Sequence, residues 1–433
     1  MGGPLDHAPR AGRDGQPGEK PDRRPKQAHE RGPEAAPEAR PDGAAHRRQS
    51  SAASVATIAA MSDRFRRLPK AELHLHLDGA LRPATALELG QERRLAETAG
   101  LDLAGIERAL VAPLPCRDQA ELLRAFDLPL AILQDAEALE RAAHELVLDL
   151  AADGVIYAEI RWAPSLHTRR GLDPSEGVAA VIRGVRAGIA AAAALAPAAA
   201  PASTAALAPT AAGGGADPPI AIRLIAVAMR SAAPAESERI ARLAATFSGE
   251  GLTGFDLAGP EAAFPDVAPH RRAFRIARAA GLGLTVHAGE WGGAGQVRRA
   301  LIVEPDRIAH GAPAADDPAL LAVLRQRGLT LDVCPTSNWQ AGLVPTLAEH
   351  PLPRLVAAGV PVTLSTDDPT VSAVSLSEEY RRAHELLGLD LAALAALDRQ
   401  ALGAAFLQDD ERLRRSLTDR LTAFLATDPA WQP

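Results

Sequence analysis

Cysteine is nearly absent: 433 residues carry two, Cys116 and Cys334, far apart and without a Cys-x-x-Cys pair. That excludes a disulfide framework and a thiolate metal site, and it fits a reducing cytoplasm. A basic excess is missing too. With 47 Lys and Arg against 54 Asp and Glu, the net charge is -7. The chain lacks the positive field that tracks phosphate backbones, so nucleic acid is not expected as a partner. No run of about twenty apolar residues suggests a bilayer span, and no membrane partner is expected. The stretch from Ser54 to Met61 follows Arg47 and Arg48 but is short and weakly apolar, which argues against a secretory leader.

Two segments lack what a packed fold needs. Residues 1–60 are rich in Pro, Arg, Gly, Glu and Ala and almost devoid of aromatic and β-branched side chains. Such a composition cannot offset chain entropy, so disorder is predicted there. Met61 is the expected start of translation, and 61–433 the expected folded unit. Residues 190–219 join poly-Ala to Pro and three consecutive Gly, which predicts a flexible surface insertion.

What is present is a core and an alternation. The apolar fraction is 47%, ample for a large interior. Strand-like runs occur at Glu72 to His76, Tyr157 to Arg161, Ile222 to Val227, Gly254 to Leu257, Leu284 to His287, Arg307 to His310, Leu329 to Cys334 and Val360 to Ser365. Amphipathic helical patterns separate them, for example His270 to Ala280, or Pro318 to Arg327 with Leu320, Leu321 and Leu324 apolar. Strands alternating with helices pair in parallel through right-handed crossovers, and eight such units close into a (β/α)8 TIM barrel. An open doubly wound sheet shows the same alternation but concentrates its chemistry at one switch point. Here His74, His76, Gly259, His287, His310 and Asp367 end five different runs. A closed ring brings those ends together.

Residues two apart on a strand face one side, so His74 and His76 form a chelating pair while Leu75 points away. Another strand ends in Thr285-Val286-His287-Ala288-Gly289-Glu290, with a carboxylate three residues past the histidine; Ile308-Ala309-His310-Gly311 and Ser365-Thr366-Asp367-Asp368-Pro369 follow. Ionisable groups converging on one rim need a partner. Imidazoles and a carboxylate without thiolate suit one zinc ion, with a position left for water.

In their order and spacing, HLHLDG, DLAG, VHAGE, RIAHG, CPTSN and STDDP resemble the adenosine/adenine deaminase branch of the metal-dependent amidohydrolase superfamily, from about Leu68 to Leu425. The resemblance implies a TIM barrel with extra helices after strand 1 and at the C-terminus. It implies zinc ligands His74, His76, His287 and Asp367, and a catalytic set of Glu290, His310 and Asp367. Glu290 is the implied proton shuttle, and His310 orients or deprotonates the attacking water. The implied substrate-facing set is His76, Asp78, Gly259 and Asp368, with Asp368 an acceptor at purine N7 and the Gly259 N–H at N3. Removing ammonia from C6 of a purine needs a nucleophile at neutral pH, which zinc supplies by lowering the pKa of water towards about 7. It also needs an acid at N1; such an acid is worth about 10²–10⁴ in rate. Zinc nucleobase deaminases with a Pro-Cys-x-x-Cys signature use similar logic, but this chain lacks that signature.

The expected partner is a small-molecule purine nucleoside, and the sequence is silent on oligomeric state. Asp78-Gly79 follows the His pair as in the adenosine enzymes, where that Asp contacts the ribose 5′-hydroxyl; adenine enzymes usually carry Glu. Ala80 stands where Ser is common, and Trp291 and Trp339 add bulk that is expected to narrow the pocket or admit a different 6-amino purine. Leu122 and Phe126 are candidate apolar walls. Glu159 and Arg161 share a strand face and read as a structural ion pair with each other. The remaining histidines, His350 among them, show no metal spacing.

Overall fold

The computed structural model describes residues 64–195, 218–408 and 410–431. The predicted disorder of 1–60 and most of the predicted insertion lie outside the described residues; residues 190–195 are helical.

The strands are β1 (Lys70–His76), β2 (Val155–Trp162), β3 (Ala221–Met229), β4 (Leu252–Ala258), β5 (Gly283–Leu284), β6 (His287–Ala288), β7 (Arg307–His310), β8 (Thr330–Val333) and β9 (Val362–Leu364). All neighbours pair in parallel, in the orders β1-β2-β3-β4-β5 and β6-β7-β8-β9. The fifth predicted strand is thus split into β5 and β6. Across the split, Thr285 N–H donates to Phe255 O on the β4 side (3.0 Å), and Val286 O accepts from Ala309 N–H on the β7 side (3.0 Å). At the other seam Leu75 bridges Asp367 in parallel, with His76 N–H donating to Asp367 O (2.7 Å) and Asp367 N–H to His74 O (3.0 Å). Backbone bonds thereby join both sheets into one (β/α)8 ring. The strands read as near-continuous apolar runs because crossover helices cover their outer faces.

Five helices follow β1: Pro83–Glu92, Leu103–Leu110, Gln119–Leu123, Asp127–Ile132 and Ala136–Ala152; Leu391–Ala404 and Glu411–Thr427 close the chain. These are the expected additions. The helix Pro318–Arg327 buries Leu320 and Leu324, as its pattern predicts. One reading is corrected. The helix Pro174–Leu195 does have the length and apolar content of a bilayer span, but it packs on the barrel through Val178, Val181, Ile182 and Val185. It approaches the helix Ala136–Ala152 so closely that a Cβ on Gly184 would lie 2.1 Å from Glu140 O. That contact with a helix backbone is why glycine stands there.

A second correction concerns the barrel interior. Glu159 and Arg161 both point inward and are fully buried, but they do not pair with each other. Arg161 donates to Asp256 (2.9 Å), while Glu159 binds Arg307, which also donates to Asp332 (3.0 Å) and lies 3.7 Å over the Phe406 ring. Strand neighbours two apart run alongside each other, whereas inward side chains meet those from across the ring. Removing one member leaves an uncompensated buried charge, at a cost of about 3–5 kcal/mol.

Candidate active site

At the carboxyl ends of the strands, His74 Nε2 and His76 Nε2 stand 2.9 Å and 3.4 Å from Asp367 Oδ1. His287 Nε2 lies 3.2 Å from His76 Nε2. One ligand atom from each of the four residues lies within 4.8 Å of the others. Asp367 reaches this position through left-handed backbone, φ 69°, and His310 does likewise at φ 65°. Non-glycine residues held in that region cost about 1 kcal/mol or more and cluster at functional sites. The β1 seam bonds hold Asp367 against the histidine pair.

Burial pulls the His74 imidazole well below its usual range and His76 to about 3, so both rings are neutral with lone pairs available. Neither ring nitrogen of His74, wholly buried, makes an aligned hydrogen bond. A cation at this point satisfies it. His287 Nδ1 lies 3.0 Å from Asp256 Oδ2, which places its proton on Nδ1 and turns Nε2 to the cluster. Ser337 Oγ donates to Asp367 Oδ2 (2.6 Å) and fixes the other carboxylate oxygen. Three imidazoles and one carboxylate fit zinc. Cys334 is within ligand reach of His310 and Asp367, but its thiol donates to Asp332 O (3.7 Å) and does not line the cavity.

Glu290 sits in the turn after β6. The Glu261 carboxylate accepts from Gly289 N–H (2.7 Å), Trp291 N–H (2.8 Å) and Gly292 N–H (3.1 Å), pinning the backbone on both sides of Glu290. Burial first, then the charges of Asp367 and Glu261, push Glu290 up to about 8, which favours its protonated form. Its Oε2 lies 3.9 Å from His310 Nε2. Asp78 is pushed up to about 6 by burial and Asp368 well above the carboxylate range by burial and Asp367; each has a buried oxygen without a partner.

These groups face one cavity of about 240 Å³. Its polar side holds His76, Asp78, His287, Glu290, His310, Asp367 and Asp368 with Gly259; its apolar side holds Leu122, Phe126, Leu130, Leu166, Val227 and Met229. Every predicted site residue lines it except His74, which lies beneath. An apolar slot with convergent polar groups is the usual form of a small-molecule site. The expected walls Leu122 and Phe126 are there. The tryptophans are not. Trp291 packs against a small apolar cluster that includes Cys116 and Leu122 and does not line the cavity, and Trp339 turns its indole N–H to Pro345 O (3.3 Å).

A family model described as adenosine deaminase matches residues 69–424. The chain is 36% identical over 353 residues to the adenosine deaminase of Enterococcus faecalis, covering 81% of this chain and 95% of that one. The chain belongs to the adenosine deaminase family. Its structure resembles the adenine deaminase of Arthrobacter aurescens at 25% identity and a TM-score of 0.69, covering 83% of this chain and 100% of that one. It also resembles a zinc-bound amidohydrolase from Burkholderia ambifaria at 27% identity and a TM-score of 0.69, covering 85% and 95%. A zinc enzyme of this family accounts for the His/Asp cluster.

Three residues that hold the site escaped sequence reasoning: Asp256, Glu261 and Asn338. Asp256 had a signal, an acid at an inward position of an apolar strand. Glu261 had none, because its three donors come from a loop about thirty residues away. Asn338 lies within the CPTSN motif, yet only the fold sets its amide against His310 Nδ1 at 3.2 Å.

Proposed function

We propose that this chain hydrolyses the 6-amino group of adenosine, and of 2′-deoxyadenosine, to inosine or deoxyinosine and ammonia. The observation that supports it best is a metal-ligand cluster and the Glu290 carboxyl facing one purine-sized slot. His74, His76, His287 and Asp367 would hold zinc, which when bound would make water a nucleophile at neutral pH. The base lies between Leu122, Phe126 and Met229. Glu290 gives its proton to N1 and takes up the one that water releases on adding to C6, passes that proton to the amino group, and recovers one from the C6 hydroxyl as ammonia leaves. His310 lies beside the attack point.

Asp368 requires one revision of the sequence reading. N7 carries a lone pair and no hydrogen, so its partner must donate. A carboxyl buried among Asp367, Asp78 and Glu290 keeps its proton and serves as that donor rather than as an acceptor. The Gly259 N–H meets N3. Asp78, whose Oδ1 is buried and unpartnered, takes the ribose hydroxyl, which favours a nucleoside over free adenine. The cytoplasm is the proposed compartment, as both cysteines are free.

Loss of adenosine absorbance on mixing with purified protein tests the proposal, with chelator-treated protein and a panel of 6-amino purines alongside. Zinc-loaded protein that leaves adenosine unchanged overturns it. Glu290→Gln is expected to keep its zinc and lose about 10²–10⁴ in kcat.

A further inference from the structure

Behind His310 runs a chain of hydrogen bonds that fixes where its proton sits. His310 Nδ1 lies 3.2 Å from Asn338 Nδ2, Asn338 Oδ1 lies 3.2 Å from His350 Nε2, and His350 Nδ1 accepts the backbone N–H of Leu352 at 3.1 Å. A backbone N–H only donates, so His350 Nδ1 is bare and its proton is on Nε2. That proton must meet an acceptor, which orients the Asn338 amide with its oxygen towards His350. The reverse orientation would set two N–H groups against each other. Asn338 therefore presents N–H to His310 Nδ1, and Nδ1 is the acceptor. One place remains for the His310 proton, Nε2. That atom is buried without a partner, 3.9 Å from Glu290 Oε2 and 3.8 Å from Asp367 Oδ2. All three relay side chains are buried, His310 and Asn338 at 0% and His350 at 3% exposure, and neither Asn338 nor His350 lines the cavity.

We infer that His350 and Asn338 are positioning residues that lock His310 as its Nε2–H tautomer, so that His310 serves the reaction as a hydrogen-bond donor. Of the two roles the family resemblance leaves open, orienting water or deprotonating it, the relay selects the first, since a nitrogen that bears the ring's only proton cannot take another. It also keeps His310 out of the metal's ligand set. His310 is within ligand reach of Asp367, and a bare Nε2 there would add a fourth imidazole where water must enter. The role in catalysis rests on the deaminase reading; the tautomer does not.

Nitrogen-15 NMR of the zinc-loaded protein labelled at histidine reads the tautomer directly, with H310Q assigning the ring by difference. The expected wild-type signal is a protonated Nε2 and a bare Nδ1. N338D presents only acceptors, so the proton is expected to move to Nδ1, with kcat falling about 10²–10³-fold while KM and zinc content change less than about threefold. H350Q, whose amide can still donate to Asn338 Oδ1, is expected to keep the wild-type pattern and most of kcat. A wild-type His310 protonated on Nδ1 overturns the inference, as does N338D with unaltered ring signals or unaltered kcat. If N338D does not fold, the wild-type spectrum decides. The predicted tautomer in a protein inactive on every 6-amino purine would support the relay and sink the deaminase reading.

Discussion

Glu261→Gln isolates the anchoring of Glu290, the proposed proton shuttle, from Glu290 itself. The carboxylate accepts three backbone N–H groups and is 1% exposed. Glutamine has the same shape but one acceptor oxygen. In its better orientation it keeps the Trp291 and Gly292 donors, now as neutral bonds, and sets its own N–H against Gly289. Two charge-assisted bonds reduced to neutral ones lose about 1 kcal/mol each, and one opposed buried donor costs about 1–3 kcal/mol. A net of about 3–5 kcal/mol corresponds to roughly 4–7 °C in Tm for a folded part of this size. The kinetic effect is expected to be larger. Glu290 lies between the released Gly289 amide and the weakened Trp291 one, and a displacement of about 1 Å at a reacting group costs about 10²-fold. Because proton transfer to N1 belongs to the transition state, the loss is expected in kcat with KM nearly unchanged. Calorimetry, steady-state kinetics and zinc analysis on one preparation check all three. A variant with wild-type kcat would refute the reasoning, as would one whose loss is confined to KM.

Asp78→Ala is expected to lower kcat/KM for adenosine by tenfold or more while affecting free adenine far less, read from parallel kinetics; equal losses would remove Asp78 from sugar recognition. At Gly79 an added Cβ would lie 1.8 Å from Asp368 Oδ1 and 2.8 Å from Asp368 Cβ. Gly79→Ala therefore has to turn Asp368 out of the cavity, and a fall in kcat/KM of about 10²-fold is expected from assays at fixed zinc. Burial raises Glu379 to about 7 from an ordinary 4.5. The folded state thus binds the extra proton, and that stability is present below about pH 4.5 and lost as pH rises through about 7, by roughly 3 kcal/mol at most. Glu379→Gln keeps an acceptor for Thr336 N–H (3.1 Å) without the titration. Its Tm is expected to fall less than the wild type's between pH 5 and pH 8, and parallel Tm profiles would contradict the sign.

Periodicity carried most of the fold because a parallel strand covered on both faces needs an apolar run whatever its neighbours are. The split of the fifth strand at Thr285 and Val286 left no mark in that pattern, since both residues are as buried as strand residues. The pairing of Glu159 and Arg161 was misread for a related reason. Spacing along one strand shows which face a side chain takes, but not what stands opposite across the ring. The Pro174–Leu195 helix shows the reverse limit, since composition alone cannot tell a helix buried in protein from one buried in lipid.

The sequence by itself marked the candidate chemistry-bearing residues: His74, His76, His287, His310, Glu290, Asp367 and Asp368 each end a strand-like run or follow one within three residues, and strand ends in a closed ring converge without further instruction. Tertiary structure alone decided how those residues are held. Asp256 orients His287, Glu261 grips both sides of Glu290, and His350 acts on His310 through Asn338. The physical reason is range. A strand repeat is local and is written in the order of residues, whereas a hydrogen bond between segments far apart in sequence exists only once packing has placed its donor and acceptor about 3 Å apart and removed the water that would otherwise compete.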